Sequence, residues 1–292
     1  MIRKTSGEKA FTVFNYTFFT ALCIAMIYPF WHVIMMSLSS MEAAMAGGIF
    51  LYPKGFTLDT YAQVFRNHQI WTGYTTTLVV TFGGTILGTL FTATTAYALS
   101  KKTLPLGAAI MVLVLFTMIF NGGMIPNYLL IKNLGLIDSW WALILPGLIS
   151  AYNVIIMKSF FLTIPDSLEE SARIDGANDI VVFIRIIVPL SKATFATIAL
   201  FLAVGYWNDF FSTVLYIYDG AKWALQAVLR FMLTQTNQAM AQAGVIVNAT
   251  SNVTAGTIKS ASVVVATVPI LIIYPFLQKY FVKGVLIGGV KG

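Results

Sequence analysis

The chain has 292 residues, 58% of them hydrophobic and only 10% charged, with a mean hydropathy of +0.81. Soluble domains carry roughly 25% charged residues, so the composition excludes a soluble globular fold and describes a polytopic membrane protein. The single cysteine, Cys23, excludes an intramolecular disulfide framework and a cysteine-based metal site, and topology accounts for the net charge of +7 without a nucleic-acid partner.

Six runs without Lys, Arg, Asp or Glu follow one another along the chain: 10–41, 67–100, 103–131, 139–157, 193–208 and 260–278. Each holds apolar sequence able to cross about 30 Å of hydrocarbon, which predicts an all-α fold of six transmembrane helices in one domain, 1–292. The first run is read as a span because no small-x-small cleavage site closes a short apolar region. In the second run, Gly84 and Gly88 have the G-x-x-x-G spacing that lets helices pack closely, within this chain or against a second subunit. Gly122, Gly123 and Pro126 after the third, and Pro146-Gly147 within the fourth, predict broken or bent helices, as in ordinary spans or beside a cavity. His32 and His68 stand among aromatic or polar neighbours and are read as packing or solvated residues. A seventh charge-free run, 231–258, carries "TQTNQ" and "NATSN", which would leave too many side chains unpaired in lipid. It is read as part of an aqueous loop, about 216–259, whose sequons at Asn248 and Asn252 are taken as chance polar composition.

Lysine and arginine set the orientation. With a cytoplasmic N-terminus, the inner segments hold twelve of the eighteen bases, Lys101, Lys102, Lys158, Arg173, Arg185 and Lys192 among them. Only Lys54, Arg66, Lys132, Lys222, Arg230 and Lys259 fall outside, so the positive-inside bias predicts both termini in the cytoplasm.

The segment 163–189 lies between the fourth and fifth spans, on the cytoplasmic side of that topology. Asp166, Glu169, Glu170, Asp175 and Asp179 place five of the eleven acids within fourteen residues. Ser167 and Glu170 have capping-box spacing, Gly176 can take the left-handed conformation that ends a helix, and Asn178 or Asp179 can cap a second segment running to Pro189. Helices lying on an anionic inner leaflet are normally basic. This acidic helix therefore favours docking of another protein over a membrane-surface linker.

Glu170-Ser171-Ala172, then Gly176, then Ile186-Ile187-Val188-Pro189 resembles the EAA loop of bacterial ABC importer permeases, Glu-Ala-Ala-x3-Gly-x9-Ile-x-Leu-Pro, with Ser171 and Val188 as the two departures. "NGGMIPNYLLIKNLGLIDSWWALILPG", "YWNDFF" and "YPFLQKYFVKGVLIGGVKG" are similar to the oligosaccharide and polysaccharide, LplC-type, branch related to the inner maltose permease. The resemblance implies a non-catalytic subunit of a sugar importer in a bacterial cell membrane, forming half a pore. The implied partners are a homologous second permease, two ATPase subunits, an extracytoplasmic sugar-binding protein and membrane lipid, with no cofactor. It implies that Glu169, Glu170, Ser171, Ala172, Arg173, Asp175, Gly176 and Pro189 form the ATPase-coupling loop. It also implies that the amides Gln235, Asn237, Gln238 and Gln242 face the binding protein.

No phosphate-binding Walker loop, H-E-x-x-H or C-x-x-C occurs, so ATP would be hydrolysed by a partner. An ion-coupled carrier would normally need ionisable residues within its spans, and an intramembrane hydrolase would have only two histidines to use. The last candidates are Tyr206, Trp207, Asn208 and Asp209, about 30 Å along a helix from Pro189. They are read as an interfacial aromatic belt or as a sugar contact, with Trp207 stacking on a ring face and Asn208 or Asp209 bonding hydroxyls.

Overall fold

The computed structural model describes residues 5–242, 254 and 256–272, and it divides into two compact units. The described residues are helical wherever they are regular, as the composition requires.

The first unit comprises 1–67 and 231–268. Its main element is α1 (Ser6–Ser37), started by a capping contact in which the Thr5 amide donates to Glu8 Oε2 at 2.8 Å. Phe11, Phe14, Phe18, Ile24 and Phe30 on several faces of α1 are exposed, as expected of a helix surrounded by lipid or by another subunit. Two short helices, α2 (Met41–Ala46) and α3 (Asp59–Arg66), follow. His32 packs edge-on against the buried Phe50, and its Nδ1 accepts from the Phe50 amide at 3.3 Å, a packing role.

The second unit comprises 68–230 and 269–292. Its axis is α4 (His68–Ser100), an unbroken 33-residue helix. The next charge-free run is not one straight span. It forms α5 (Gly107–Ile119) and α6 (Met124–Asn133), bent by 116° at Gly122-Gly123, where Gly123 takes φ +89°. Thirteen residues of α5 reach only about 20 Å, so polarity alone gave too long an element here. The fourth run bends by 49° between Trp141–Gly147 and α8 (Ala151–Phe161); α7 is Trp141–Ile144, and the Pro146-Gly147 turn follows it. Next come α9 (Asp166–Ile174), α10 (Asp179–Val182), a π turn (Phe183–Ile187) and α11 (Val188–Leu190). At Ser191 the chain bends by 84° into α12 (Lys192–Asn208), and α13 (Phe211–Tyr216) follows. Two helices are long and apolar enough to span a membrane, and five spans result if each bent pair counts as one, among the described residues.

The segment expected as a loop over 216–259 is largely helical where it is described. The helix α14 (Leu225–Gln242) starts with Leu225, Val228 and Leu229 buried, an i, i+3, i+4 apolar stripe that ties its first turns into the fold. The Leu225 amide donates to Thr77 Oγ1 at 2.8 Å. The last helix among the described residues, α15, covers Gly256–Ile272. The sequons, the remainder of the sixth run and the C-terminal tail lie outside the described residues.

Asp138, at φ +62°, joins the two loops flanking α7 and α13. Its Oδ1 accepts from the Tyr218 and Asp219 amides at 3.2 and 3.0 Å, and Lys222 Nζ donates to its carbonyl at 2.9 Å and its Oδ2 at 3.2 Å. The Asp219 amide, followed by Lys222, holds the Asp138 carboxyl below its ordinary range.

Candidate functional site

Two places in the second unit carry the candidate residues. The first is α9 and its turn. Pro165, with ψ 129°, is the N-cap, so the helix starts two residues earlier than the Ser167 capping box predicts. Ser167 lies inside the first turn and its carbonyl accepts from Ser171 Oγ at 2.8 Å; the expected Ser167–Glu170 box does not form. Asp166 and Glu169 instead place their charge in the first turn, where the helix dipole favours it.

The end of α9 follows the sequence reading. Gly176 takes φ +87°, its amide donates to the Arg173 carbonyl at 3.0 Å, and the Ala177 amide donates to the Ala172 carbonyl at 2.9 Å. This pair of bonds is a Schellman motif. A side chain at Gly176 would meet nothing within 4 Å, so its constraint is backbone conformation, not space. Asn178 Oδ1 accepts from the Val181 amide at 2.9 Å and starts α10, while Arg173 bridges the turn to Asp179 at 2.5 Å.

Along α9 the neighbouring acids behave differently. Glu170 is exposed and forms no ion pair among the described residues, and Ser171 and Arg173 are also exposed. Glu169 turns inward and pairs with Lys101, just beyond α4, with each side chain only 19% exposed. Lys101 Nζ also sits 4.0 Å from the centre of the Tyr97 ring. Lys102 and Asp166 pair at 3.0 Å but remain largely in solvent. These groups border a groove of about 480 Å³ between the ends of α4 and α8 and the face of α9. Sequence reasoning missed Lys101, Lys102 and Tyr97 as partners of this helix. The only sequence signal was the doubled lysine, which topology already explained.

The second place is a cavity of about 490 Å³ lined by Pro146, Gly147, Leu202, Tyr206, Asn208 and Asp209, among others. It lies between α12, the start of α13 and the broken fourth run. A Cβ on Gly84 would lie 2.4 Å from the Tyr206 ring, and one on Gly88 would lie 3.0 Å from Leu202. The G-x-x-x-G pair therefore serves packing within the chain. Tyr206 is buried, and its hydroxyl donates to the Ile144 carbonyl at 2.9 Å, next to the turn at Pro146.

The four residues of "YWNDFF" thus separate. Tyr206, Asn208 and Asp209 line the cavity. Trp207 is 6% exposed and faces Tyr74, with ring centres 6.5 Å apart, so its ring face is not open to a sugar in this conformation. Asn208 donates to the Val204 carbonyl at 2.9 Å, and Asp209 Oδ1 accepts from the Ser212 amide at 3.1 Å as α13 begins. The backbone of Gln235, Asn237, Gln238 and Gln242 is helical within α14, and their side chains lie outside the described part. Among the described residues, no group of three or more His, Cys, Asp or Glu side chains could hold a metal ion.

Long apolar helices, sharp breaks beside a cavity and a polar helix at one end of the packed core define a polytopic helical membrane transport component. The family described as binding-protein-dependent transport system inner membrane component matches residues 97–287, and the chain belongs to it. It is 43% identical over 285 residues to the polygalacturonan/rhamnogalacturonan transport system permease protein YtcP of Bacillus subtilis, covering 98% of this chain and 99% of that protein. Protein LplC of the same organism is 44% identical over 291 residues, covering 100% and 98%. The crystal structure of a bacterial ABC transporter involved in the import of the acidic polysaccharide alginate contains a chain that superposes with a TM-score of 0.89 at 31% identity, covering 96% of this chain and all of that one. YtcP is named a transport system permease and the superposed chain belongs to an ABC transporter; this chain is likewise a non-catalytic inner-membrane subunit of the ABC type.

Proposed function

We propose that the chain forms half of the translocation pore of an ATP-driven importer for an oligosaccharide or polysaccharide and takes its drive from a separate ATPase through α9. The observation that carries this reading is the exposed face of α9: Glu170, Ser171 and Arg173 stand free of the core on a helix whose Schellman turn fixes their direction. Ala172 packs against the core behind that face, while Asp175, Gly176 and Pro189 shape the turn and the return to α12. The likeness to a permease named for polygalacturonan/rhamnogalacturonan transport, and to a chain of an alginate importer, supports a saccharide cargo. A cavity of about 490 Å³ is within the range of small-ligand sites, roughly 300–1,000 Å³. Asn208 and Asp209 are the polar groups through which it would meet sugar hydroxyls, with Tyr206 as wall. A second, homologous permease would complete the pore, and a binding protein would deliver cargo to the opposite side. The lysine and arginine distribution supports cytoplasmic termini and a cytoplasmic α9.

Purification through a tag on this chain tests the reading. A stoichiometric ATPase and a second permease are expected to co-purify, and Glu170→Lys is expected to lower ATPase retention in detergent and to abolish uptake. A variant that keeps both at native levels would reduce α9 to a linker. A cysteine introduced at Asp179 in a Cys23→Ser background is expected to resist an impermeant reagent added outside intact cells; labelling there would reverse the orientation.

A further inference from the structure

Two routes join α9 to the cavity wall. The covalent route runs through the turn at Gly176, α10, the π turn and α11 to the 84° bend at Ser191, and only then into α12. A π turn and a sharp bend both interrupt the α-helical ladder. This route is therefore a series of joints, and a displacement entering at α9 is partly absorbed before it reaches Tyr206.

The other route is not covalent. Glu169 pairs with Lys101, Lys101 covers the Tyr97 ring, and the buried Tyr97 packs edge-on to Phe161 and against Phe183, with ring centres 6.3 and 5.0 Å away. Tyr97 lies in the last turn of α4, which runs without a break back to Gly84 and Gly88. Their missing side chains seat Tyr206 and Leu202, and both of these line the cavity. From Glu169 onward this route consists of an ion pair, ring contacts and one unbroken helix whose glycines meet Tyr206 and Leu202.

We propose that the Lys101–Glu169 pair is a positioning contact through which displacement of α9 moves α4 as a rigid lever, and through α4 the Tyr206 wall of the cavity. The inference rests on the ATPase reading of α9 and deepens it. Glu170 faces outward to receive the displacement, and Glu169, one residue earlier, passes it to the chain's own core. Exposure separates this pair from its neighbour. Removing one partner of a mostly buried pair strands a desolvated charge. The Lys102–Asp166 pair, with side chains 84% and 74% exposed, can exchange its partner for water at little cost and serves as the control.

The test uses the whole complex, purified through this chain and placed in nanodiscs, with Cys23→Ser and Gly205→Cys as a reporter. Gly205 lines the cavity, and a Cβ there meets nothing within 4 Å. The measurement is the rate of thiol modification at that position by a soluble methanethiosulfonate, with and without ATP plus vanadate. With the native pair, nucleotide trapping is expected to change the rate. In Glu169→Gln or Lys101→Met the ATP-dependent change is expected to fall by about fivefold or more, the lower end of ordinary intersite coupling, while the ATPase stays bound. The swap Lys101→Glu with Glu169→Lys is expected to recover part of the change, and Lys102→Met to retain all of it. A full ATP response in Glu169→Gln would overturn the proposal. Loss of bound ATPase in that variant would also overturn it, by placing Glu169 in the docking contact. A native complex with no ATPase, or with no response to ATP, would instead defeat the ATPase reading on which the proposal stands.

Discussion

The seam between α4 and α12 and the loop 163–189 are held by opposite kinds of contact. The seam is steric: glycines on α4 leave room for Tyr206 and Leu202, and one buried hydroxyl bond fastens the tyrosine to the Ile144 carbonyl. The loop is ionic and mostly wet, with the pairs Arg173–Asp179 and Lys102–Asp166 both largely exposed. Dispersion between close-packed atoms fades within an ångström or so of separation, whereas solvated ions can change partners cheaply. The chain thus deletes side chains where geometry must stay constant and spends charge where another protein is to be met.

The comparison breaks most readily at Gly84. Gly84→Leu drives side-chain atoms into the Tyr206 ring, and overpacking of this kind costs about 3 kcal/mol. A large fall in melting temperature by size-exclusion chromatography in detergent is expected. Native melting would mean that the seam has slack. Gly176→Val is expected to act on the other side of the comparison. It forces a β-branched residue into φ +87° at a cost of roughly 1–2 kcal/mol, confined to the α9 turn. The expected outcome is reduced ATPase retention with little change in melting; the reverse pattern would show that the turn supports the core. Tyr206→Phe is the smallest perturbation. It removes one neutral hydrogen bond, worth about 1 kcal/mol, and keeps the ring against Gly84. A modest melting shift with α4 and α12 still paired is expected, whereas a loss comparable to Gly84→Leu would make the hydroxyl, not the close approach, the basis of the seam.

These contrasts also show which features were legible before the fold. The ends of the charge-free runs located α4 and α12 closely, since charge is costly in hydrocarbon whatever the tertiary structure. Gly176 and Asn178 were legible because their demands are local, one dihedral and one side-chain bond. The Ser167 capping box was equally local and failed, because Pro165 already offered an extended residue at which the helix could begin. The 116° turn after α5 was visible as Gly122-Gly123, but not its size, which depends on how α6 seats against other elements. The start of α14 was lost because the search followed charge, and Arg230 interrupts an apolar stripe that continues on both sides of it. The Lys101–Glu169 pair joins residues 68 positions apart, and no local pattern announces it.

The π turn at Phe183–Ile187 has a consequence for helical phase. In a regular α-helix, residues five apart point roughly 140° away from one another at 3.6 residues per turn. Val182 and Ile187 are five apart, and both are buried, at 0% and 1% exposure. Bonding from i to i+5 widens the turn by one residue and brings the two side chains toward a common face. The segment thus behaves as an α-helix with one residue inserted. Deleting Ile184, which is 58% exposed, would let the ladder close in the ordinary way and keep the inward stripe. Because the wide turn already holds Val182 and Ile187 in phase, the deletion would leave the azimuth of α10 relative to α12 nearly unchanged and mainly shorten the segment by one residue. The chain thus carries one extra residue there without turning α9 away from the azimuth at which it presents Glu170.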